Sequence, residues 1–341
     1  MNVGAMFKST APVIARYSGI GKALAFRYAG PGTIFLLHSV VPDTTSYPEE
    51  FTRCPVSVLE DTLAWLKENK VQFVSLDTAL ERLRTPTEDR FCVFTFDDGY
   101  ADNLTHVLPI MERFGAPFTV YITTGMITGE IDTCWWFGLA ALIRSRNNLA
   151  LPELGYSFDC TNAASKKRAF AAISALVESN GESLSSVRTA LDANGIDGRS
   201  IVRAEGLTME QLRRLAASPL VTIGAHGVRH IRLPRVSVVE VQREMADGRA
   251  WLENILQREV RHFAYPFGAC GHREAQIAQS IGFRTAVTMQ RGTLFPEHLG
   301  HFYALPRESI MSTETASSLR CKIDGMNRAF HSRLGDPVAH M

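Results

Sequence analysis

The sequence predicts an α/β protein, a distorted (β/α) barrel of parallel strands with an inserted helical subdomain. Short apolar runs of strand length alternate with longer segments of helical periodicity. Polar residues follow several of the apolar runs directly, which is where barrels place their chemistry. Residues 127–206 interrupt the alternation with largely helical patterning, which indicates an insertion.

The apolar runs and the amphipathic segments between them define the expected elements in order. Strands are predicted at 33–38, 71–74, 91–96, 117–122, 220–225, 260–264, 285–289 and 302–305. Helices are predicted at 56–70, 76–83, 101–114, 209–217, 238–256 and 273–281. The expected domains are an N-terminal amphipathic segment, the barrel in two parts, the insertion, and a C-terminal helix and tail, at 1–30, 31–126 with 207–312, 127–206 and 313–341.

Composition and charge exclude several classes of protein. Of 341 residues, 45% are apolar and 21% are charged, as in soluble globular proteins. Thirty-six Lys and Arg against 35 Asp and Glu leave a net charge of +1, so no nucleic-acid partner is expected. No apolar run approaches the roughly 18 residues that span a bilayer. Without a recognisable cleavable signal or a CxxC pair, we expect reduced cysteines and a cytoplasmic location.

The N-terminal segment leaves two interpretations open. No acidic residue occurs from Met1 to Pro42, and basic residues are interleaved with apolar ones at roughly helical spacing. Such a segment could bind an anionic membrane surface at the inner face, or it could pack as a helix on its own domain. No protein partner is inferred.

Two adjacent carboxylates give the sharpest chemical signal. Asp97 and Asp98 follow the apolar strand predicted at 91–96, and Gly99 then allows a turn. Neighbouring buried aspartates repel, so a cation, a proton or a metal ion must hold them. A solvated acidic turn is the alternative, which the wholly apolar strand weakens.

Two histidines give the second signal. His226 and His230 follow another predicted strand, and their spacing of four can place both on one face of a helical turn. Histidine is a common zinc ligand, and Asp98 would complete a three-ligand set with a fourth position open. A capping or hydrogen-bonding role is the alternative. Two further polar stretches end strands, RHFAYPFG at 261–268 and ALPR at 304–307.

Taken in order, the TFDDGY, HGVRH, FAYPFG and LPR stretches resemble the motifs of the polysaccharide deacetylase family, the carbohydrate esterases that share the NodB homology domain. The pattern is most similar to the exopolysaccharide deacetylase subgroup. The resemblance runs from about His38 to Arg307, apart from the insertion. It implies a distorted (β/α) barrel that binds a divalent metal ion, with Zn²⁺ expected, and hydrolyses acetyl groups.

The resemblance implies a role for each matching residue. Asp97 corresponds to the general base, and Asp98, His226 and His230 correspond to the metal ligands. Phe267, the aromatic residue before the glycine of the third motif, would supply a backbone N–H to the oxyanion.

Three aromatic residues are assigned to the substrate. Tyr265 belongs to the third motif, and Trp135 and Trp136 open the insertion. Aromatic faces suit the apolar C–H surfaces of sugar rings. Hydrophobic anchoring is the alternative for the two tryptophans.

This sequence departs from the best-known family pattern in two places. The third motif lacks an arginine that tethers the catalytic aspartate, and Arg307 is the candidate replacement as a bidentate partner of Asp97. The fifth motif lacks a histidine, and His38 is the candidate general acid. The alternatives are a surface ion pair for Arg307 and a structural role for His38.

The expected function is the metal-dependent removal of an acetyl group from an N-acetylated amino sugar, in a polysaccharide, oligosaccharide or lipid-linked glycan. The same site could instead hydrolyse a non-sugar amide or an O-acetyl ester, because these reactions share a tetrahedral intermediate. A catalytically silent carbohydrate-binding barrel is the alternative from another class.

Overall fold

The computed structural model describes residues 20–44, 52–85, 87–131, 134–179, 181–332 and 334–339. The strands are β1 (Gly32–Leu37), β2 (Ser39–Val41), β3 (Arg53–Pro55), β4 (Gln72–Phe73), β5 (Phe91–Phe96), β6 (Phe118–Ile122), β7 (Asn148–Leu151), β8 (Tyr156–Asp159), β9 (Val221–Ala225), β10 (His262–Ala264), β11 (Thr285–Val287) and β12 (Glu308–Ser309). The α-helices are α1 (Ile20–Tyr28), α2 (Val56–Glu68), α3 (Leu76–Arg84), α4 (Leu108–Phe114), α5 (Thr124–Thr128), α6 (Trp135–Arg144), α7 (Ala163–Ser179), α8 (Gly181–Ala193), α9 (Gly198–Glu205), α10 (Met209–Ala216), α11 (Val238–Leu256), α12 (His272–Ile281), α13 (Ala316–Ile323) and α14 (Met326–His331).

A parallel sheet of eight strands forms the centre of the molecule. Its order is β11-β10-β9-β6-β5-β1-β12, with β4 beside β5. Every residue of β1 and β5 is buried, because helices cover the outside of the sheet and side chains fill its inside. The sheet curls into a half-barrel surrounded by helices, which confirms the predicted distorted (β/α) barrel.

The segment 302–309 crosses from one edge of this sheet to the other. Leu305 forms an isolated parallel bridge to Val287 at the end of β11, whereas Glu308 pairs with Phe35 of β1. The strand predicted at 302–305 is therefore wrong. The backbone turns there, with the Ala304 N–H donating to His301 at 3.1 Å, and regular pairing begins only at β12.

Residues 134–205 contain helices α6 to α9 and an unpredicted hairpin, in which β7 and β8 pair antiparallel. Leu149 and Leu151 of β7 alternate with exposed residues, and this short period-two pattern was missed in a segment interpreted as largely helical. These elements share a core that includes Leu139, Ile173 and Leu191. The domain boundaries stay a prediction.

No helix in the described part of the chain is long and apolar enough to cross a membrane. Of the proposed N-terminal segment, residues 1–19 lie outside the described residues, and α1 is the helix seen in the remainder. Membrane contact and cellular location stay predictions.

Candidate active site

Strand β5 delivers two aspartates to the carboxyl end of the sheet. The Asp97 N–H extends the sheet by donating to Leu37 O at 3.0 Å. Asp98 and Gly99 then adopt left-handed backbone, with φ of 74° and 83°, so the chain turns at once. Asp97 and Asp98 are each only 3% exposed, which argues against a solvated acidic turn.

Strand β9 delivers the histidines, but in a loop. Residues 226–230 form no helix, so the expected helical turn is wrong. Gly227 and His230 have φ of 79° and 53°, and this irregular backbone brings both imidazoles to the same carboxylate. His226 Nε2 lies 3.4 Å from Asp98 Oδ1, and His230 Nε2 lies 3.2 Å from it.

The arrangement of these three side chains fits a metal ion. His226 Nδ1 lies 2.7 Å from Ala264 O and therefore carries a proton, which leaves Nε2 as an electron-pair donor facing Asp98. Ligand atoms of Asp98, His226 and His230 lie within 4.8 Å of one another. Asp98 Oδ1 is buried without a hydrogen-bond partner. A two-histidine, one-carboxylate set with an unsatisfied oxygen is suited to a divalent cation.

The electrostatics of the site favour added positive charge. Burial alone would lower the pKa of His226, but the Asp97 and Asp98 carboxylates outweigh burial and raise it. Burial opposes ionisation of Asp98, yet His230 and His226 hold its pKa well below the usual range. In the absence of a metal ion a proton is therefore attracted to the position that a metal ion would take.

Arg307 lies in the segment 302–309 and binds the carboxylate of Asp97. Its Nη1 and Nη2 donate to the two Asp97 carboxylate oxygens at 2.7 and 2.8 Å. Arg307 also donates to Thr288 O and Thr95 Oγ1, at 2.8 and 3.2 Å, and is 1% exposed. Burial alone would raise the pKa of Asp97, but Arg307 and then His226 outweigh it and lower that pKa. The aspartate is held ionised and fixed in orientation.

His38 follows β1 and is half-buried beside the aspartates. Burial lowers its pKa, and the Asp98 and Asp97 charges oppose that shift only in part. Its backbone is fixed from the loop after β5, because Asn103 Nδ2 donates to His38 O at 3.0 Å. Asp102 accepts hydrogen bonds from the next two residues, the Ser39 hydroxyl and the Val40 N–H.

The two candidate residues of the third motif differ in placement. Phe267 has left-handed backbone, with φ of 59°, and its ring lies 4.6 Å from the His230 ring. Tyr265, in contrast, is fully buried, its N–H donates to Val287 O, and its hydroxyl donates to Tyr303 O at 3.0 Å. The assignment of Tyr265 to the substrate is therefore wrong. Alternation along the strand end turns its side chain into the core.

Trp135 and Trp136 stand at the start of α6 and line a cleft of about 270 Å³ that ends at His230 and Phe267. The Trp136 ring lies 5.0 Å from the His230 ring. The structure thus brings both tryptophans beside the candidate ligands.

Sequence reasoning missed two groups of residues here. Asp102 and Asn103, which fix the backbone around His38, follow the first motif directly. Arg188, Arg229, Arg232 and Arg235 line the cleft with the tryptophans. Three of the arginines recur at a spacing of three from Arg229, a repeat that could have drawn attention to them.

Comparisons with known proteins agree with this geometry. A family model of polysaccharide deacetylases matches residues 84–286. The Bacillus subtilis (strain 168) protein YxkH, named as a polysaccharide deacetylase, is 20% identical over 277 residues, which is 80% of this chain and 71% of that protein. The poly-β-1,6-N-acetyl-D-glucosamine N-deacetylase of Escherichia coli (strain K12) is 38% identical over 71 residues, which is 20% of this chain and 11% of that enzyme.

A solved structure with a similar fold is that of IcaB from Ammonifex degensii. The TM-score is 0.56 at 17% identity, covering 87% of this chain and 97% of that one. Deacetylases of the matching family are metal dependent, and the three candidate ligands are present here. The chain belongs to the polysaccharide deacetylase family and is, by that membership, a carbohydrate deacetylase.

Proposed function

We propose that this chain is a metal-dependent hydrolase that removes the acetyl group of an N-acetylated amino sugar within a polysaccharide, oligosaccharide or lipid-linked glycan. One observation carries the proposal. Asp97, clamped by Arg307, lies beside a second carboxylate and two imidazoles that fit a metal ion, with Asp97 Oδ2 4.0 Å from His226 Nε2.

Asp98, His226 and His230 would hold the ion. A divalent ion supplies positive charge that polarises the acetyl carbonyl and makes water more acidic. Zinc is the proposed ion, since nitrogen and oxygen ligands in this number are typical of catalytic zinc sites.

Asp97 is the proposed general base. Its carboxylate accepts a proton from the attacking water while Arg307 keeps it ionised beforehand and oriented throughout. The backbone N–H of Phe267 is the proposed donor to the oxyanion that forms on the acetyl oxygen. The left-handed backbone at this bulky residue is costly and is typical of positions under functional constraint.

His38 is the proposed general acid for the leaving amine. Burial lowers the pKa of His38, so its imidazole is neutral at first and must receive a proton before it can donate one. Asp97, which takes a proton from the attacking water, is the proposed source, and His38 passes that proton to the nitrogen as the C–N bond breaks. The rings of Trp135 and Trp136 would stack on the sugar.

Acetate release from N-acetylglucosamine oligomers tests the proposed function. The purified chain should release acetate, and Asp97→Asn should lower the rate by about 100-fold or more while metal content is unchanged. Asp192→Asn, an exposed aspartate on α8, is the matched control and should retain the rate. A normal rate in Asp97→Asn would remove that residue from the mechanism. Release from O-acetyl esters alone would redirect the assignment to an esterase.

A further inference from the structure

The two candidate histidine ligands are held in different ways. His226 Nδ1 lies 2.7 Å from Ala264 O, so a hydrogen bond to the backbone orients its ring. His230 Nδ1 is buried without a hydrogen-bond partner among the described residues. The second nitrogen of a ligating histidine is usually hydrogen bonded to a neighbouring group, which fixes the ring. The placement of His230 therefore depends on its backbone and on the rings packed against it.

A buried carboxylate of α11 holds that backbone. Glu244 is 2% exposed, and its Oε2 accepts the N–H groups of Val228 and Arg229 at 2.9 and 2.8 Å. Its Oε1 accepts from Arg229 Nε at 2.7 Å. Hydrogen bonds to a charged acceptor are stronger than those between neutral groups. One side chain thus fixes the two residues that precede His230.

Helix α5 supplies the donors for carbonyl groups of the same loop. The Thr124 N–H donates to Gly227 O at 3.2 Å, and the Gly125 N–H donates to Val228 O at 2.9 Å. The backbone between the two histidines is therefore hydrogen bonded to two helices that lie outside the ligand set. Its conformation, with φ of 79° at Gly227, is held by the fold itself.

A glycine lets α11 approach this loop closely. Gly248 follows Glu244 by four residues and so lies on the same face of the helix. A Cβ atom at Gly248 would lie 3.3 Å from the carbonyl carbon of Gly227, which is closer than ordinary van der Waals contact. Glycine is unfavourable within a helix, but here it allows the close approach that brings the Glu244 carboxylate to the loop.

We propose that Glu244 is a positioning residue for the metal site. Through the backbone of Val228 and Arg229 it holds His230 in place before any metal ion binds, with Nε2 3.2 Å from Asp98 Oδ1. Glu244 contacts neither the ion nor the substrate in this role. An ordered ligand loop raises metal affinity, because binding does not have to order it. The inference rests on the proposed function and deepens its account of the metal site.

The affinity of the full chain for zinc tests the proposal. Metal is removed by dialysis against a chelator, and the Kd for Zn²⁺ is measured by competition with a chromophoric chelator. Glu244→Met keeps the length of the side chain and removes both oxygens, so it should raise the Kd about tenfold or more. Glu244→Gln keeps one oxygen for the backbone N–H groups and should restore the Kd to within about threefold of the unaltered chain.

Glu253 provides a matched control on the same helix. Its Oε1 accepts the Val260 N–H at 3.0 Å and Arg249 Nε at 2.8 Å. It therefore braces a loop in the same way, but that loop leads into β10 at the amino end of the sheet. Glu253→Met should destabilise the chain to thermal unfolding and leave the Kd for zinc unchanged.

An unchanged Kd in folded Glu244→Met would overturn the proposal. An equal loss of affinity in Glu253→Met would also overturn it, because general destabilisation would then explain both results. If the unaltered chain binds no zinc, the metal site of the proposed function fails and this proposal fails with it. Zinc binding that does not depend on Glu244 overturns this proposal alone.

Hydrogen exchange decides the matter if Glu244→Met does not fold. In the unaltered, metal-free chain, the amides of Val228 and Arg229 should already be protected, because Glu244 accepts both N–H groups. Mass spectrometry of peptides covering residues 226–230 would measure this before and after zinc is added. Exchange as fast as in an unfolded chain until zinc binds would show that the metal ion orders the loop, and would overturn the proposal.

Discussion

The two ends of the barrel each bury a histidine beside an aspartate, yet they balance charge in opposite ways. At the amino end, His262 Nε2 lies 3.4 Å from Asp77 Oδ1, and Nδ1 lies 2.9 Å from Thr285 Oγ1. Arg261 and Arg284 pair with the same aspartate at 2.5 and 2.6 Å. Burial lowers the pKa of His262 against the pull of Asp77, so this histidine has little tendency to carry charge.

At the carboxyl end, negative charge exceeds the positive charge beside it. Arg307 pairs with Asp97 alone, and Asp98 meets only imidazole nitrogens among the described side chains. Asp98 and His230 also adopt left-handed backbone, with φ of 74° and 53°. Such conformations cost about 1–3 kcal/mol each and persist where function requires them. The comparison shows that charge balance, rather than residue type, distinguishes a candidate catalytic end from a stabilising one.

Breaking the Arg307 clamp should have the largest effect. Arg307→Gln should lower acetate release by at least about 100-fold, because Asp97 loses its orientation and its partner charge. Since Arg307 lowers the Asp97 pKa, its removal should raise that pKa and move the acidic limb of the pH–rate profile to higher pH. Rates would be measured from pH 4 to 9 on protein shown to be folded by circular dichroism.

The matched control is Arg307→Lys, which keeps the charge but not the paired donors. The acidic limb of its pH–rate profile should lie closer to that of the unaltered chain, while its rate should still be lower. An acidic limb that does not move in Arg307→Gln would contradict the account of Asp97 as a base tuned by this arginine.

Removing the candidate acid should have a smaller, substrate-dependent effect. His38→Ala should lower cleavage of an N-acetyl sugar by about 100-fold and hydrolysis of 4-nitrophenyl acetate by less than about fivefold, because the nitrophenolate leaves without protonation. His272→Ala, an exposed histidine near the third motif, serves as the comparison and should leave both rates unchanged. Equal losses on amide and ester would argue against His38 as the acid.

Disturbing the amino end should alter stability and leave the chemistry intact. Asp77→Asn should lower the free energy of unfolding by about 1–2 kcal/mol, since two partly exposed arginines lose their partner. Burial raises the pKa of Asp77, but His262 and the arginines outweigh it and lower that pKa. The stabilisation is therefore present above the unfolded pKa of about 3.9 and is lost as the pH falls through the lower folded value.

Urea unfolding of the unaltered chain and Asp77→Asn at pH 7 and pH 3 would check this, and the two curves should converge at the lower pH. Acetate release per folded molecule should be the same for both. A fall in that rate would show that the amino end takes part in catalysis. It would contradict the distinction between a stabilising end and a catalytic end of the barrel.

The sequence predicted those features that depend on local pattern. Strand β5 is found at the predicted residues because a run of five apolar residues and one threonine leads into two aspartates. Helix α11 also has its predicted bounds, because a serine N-cap precedes a long amphipathic segment. Asp97, Asp98, His226 and Arg307 each follow a predicted strand in the sequence. They were therefore predicted to belong to one site.

Other features depend on contacts that no local pattern records. The direction of the Tyr265 side chain follows from how the strand end meets the core, and the loop at His226 follows from a left-handed glycine. The segment 302–309 is irregular because it contacts β11 at one edge of the sheet and β1 at the other. The cleft arginines come from two distant parts of the chain, so only the tertiary fold places them together.

Metal content of the purified chain tests the central claim most directly. Mass spectrometry should find about one divalent ion per chain in the unaltered protein and in Asp97→Asn, since three protein ligands suffice for a catalytic zinc site. His226→Ala, prepared identically, should lose the ion. No metal in any of the three, even after incubation with zinc, would contradict the assignment of Asp98, His226 and His230 as ligands and with it the proposed hydrolase.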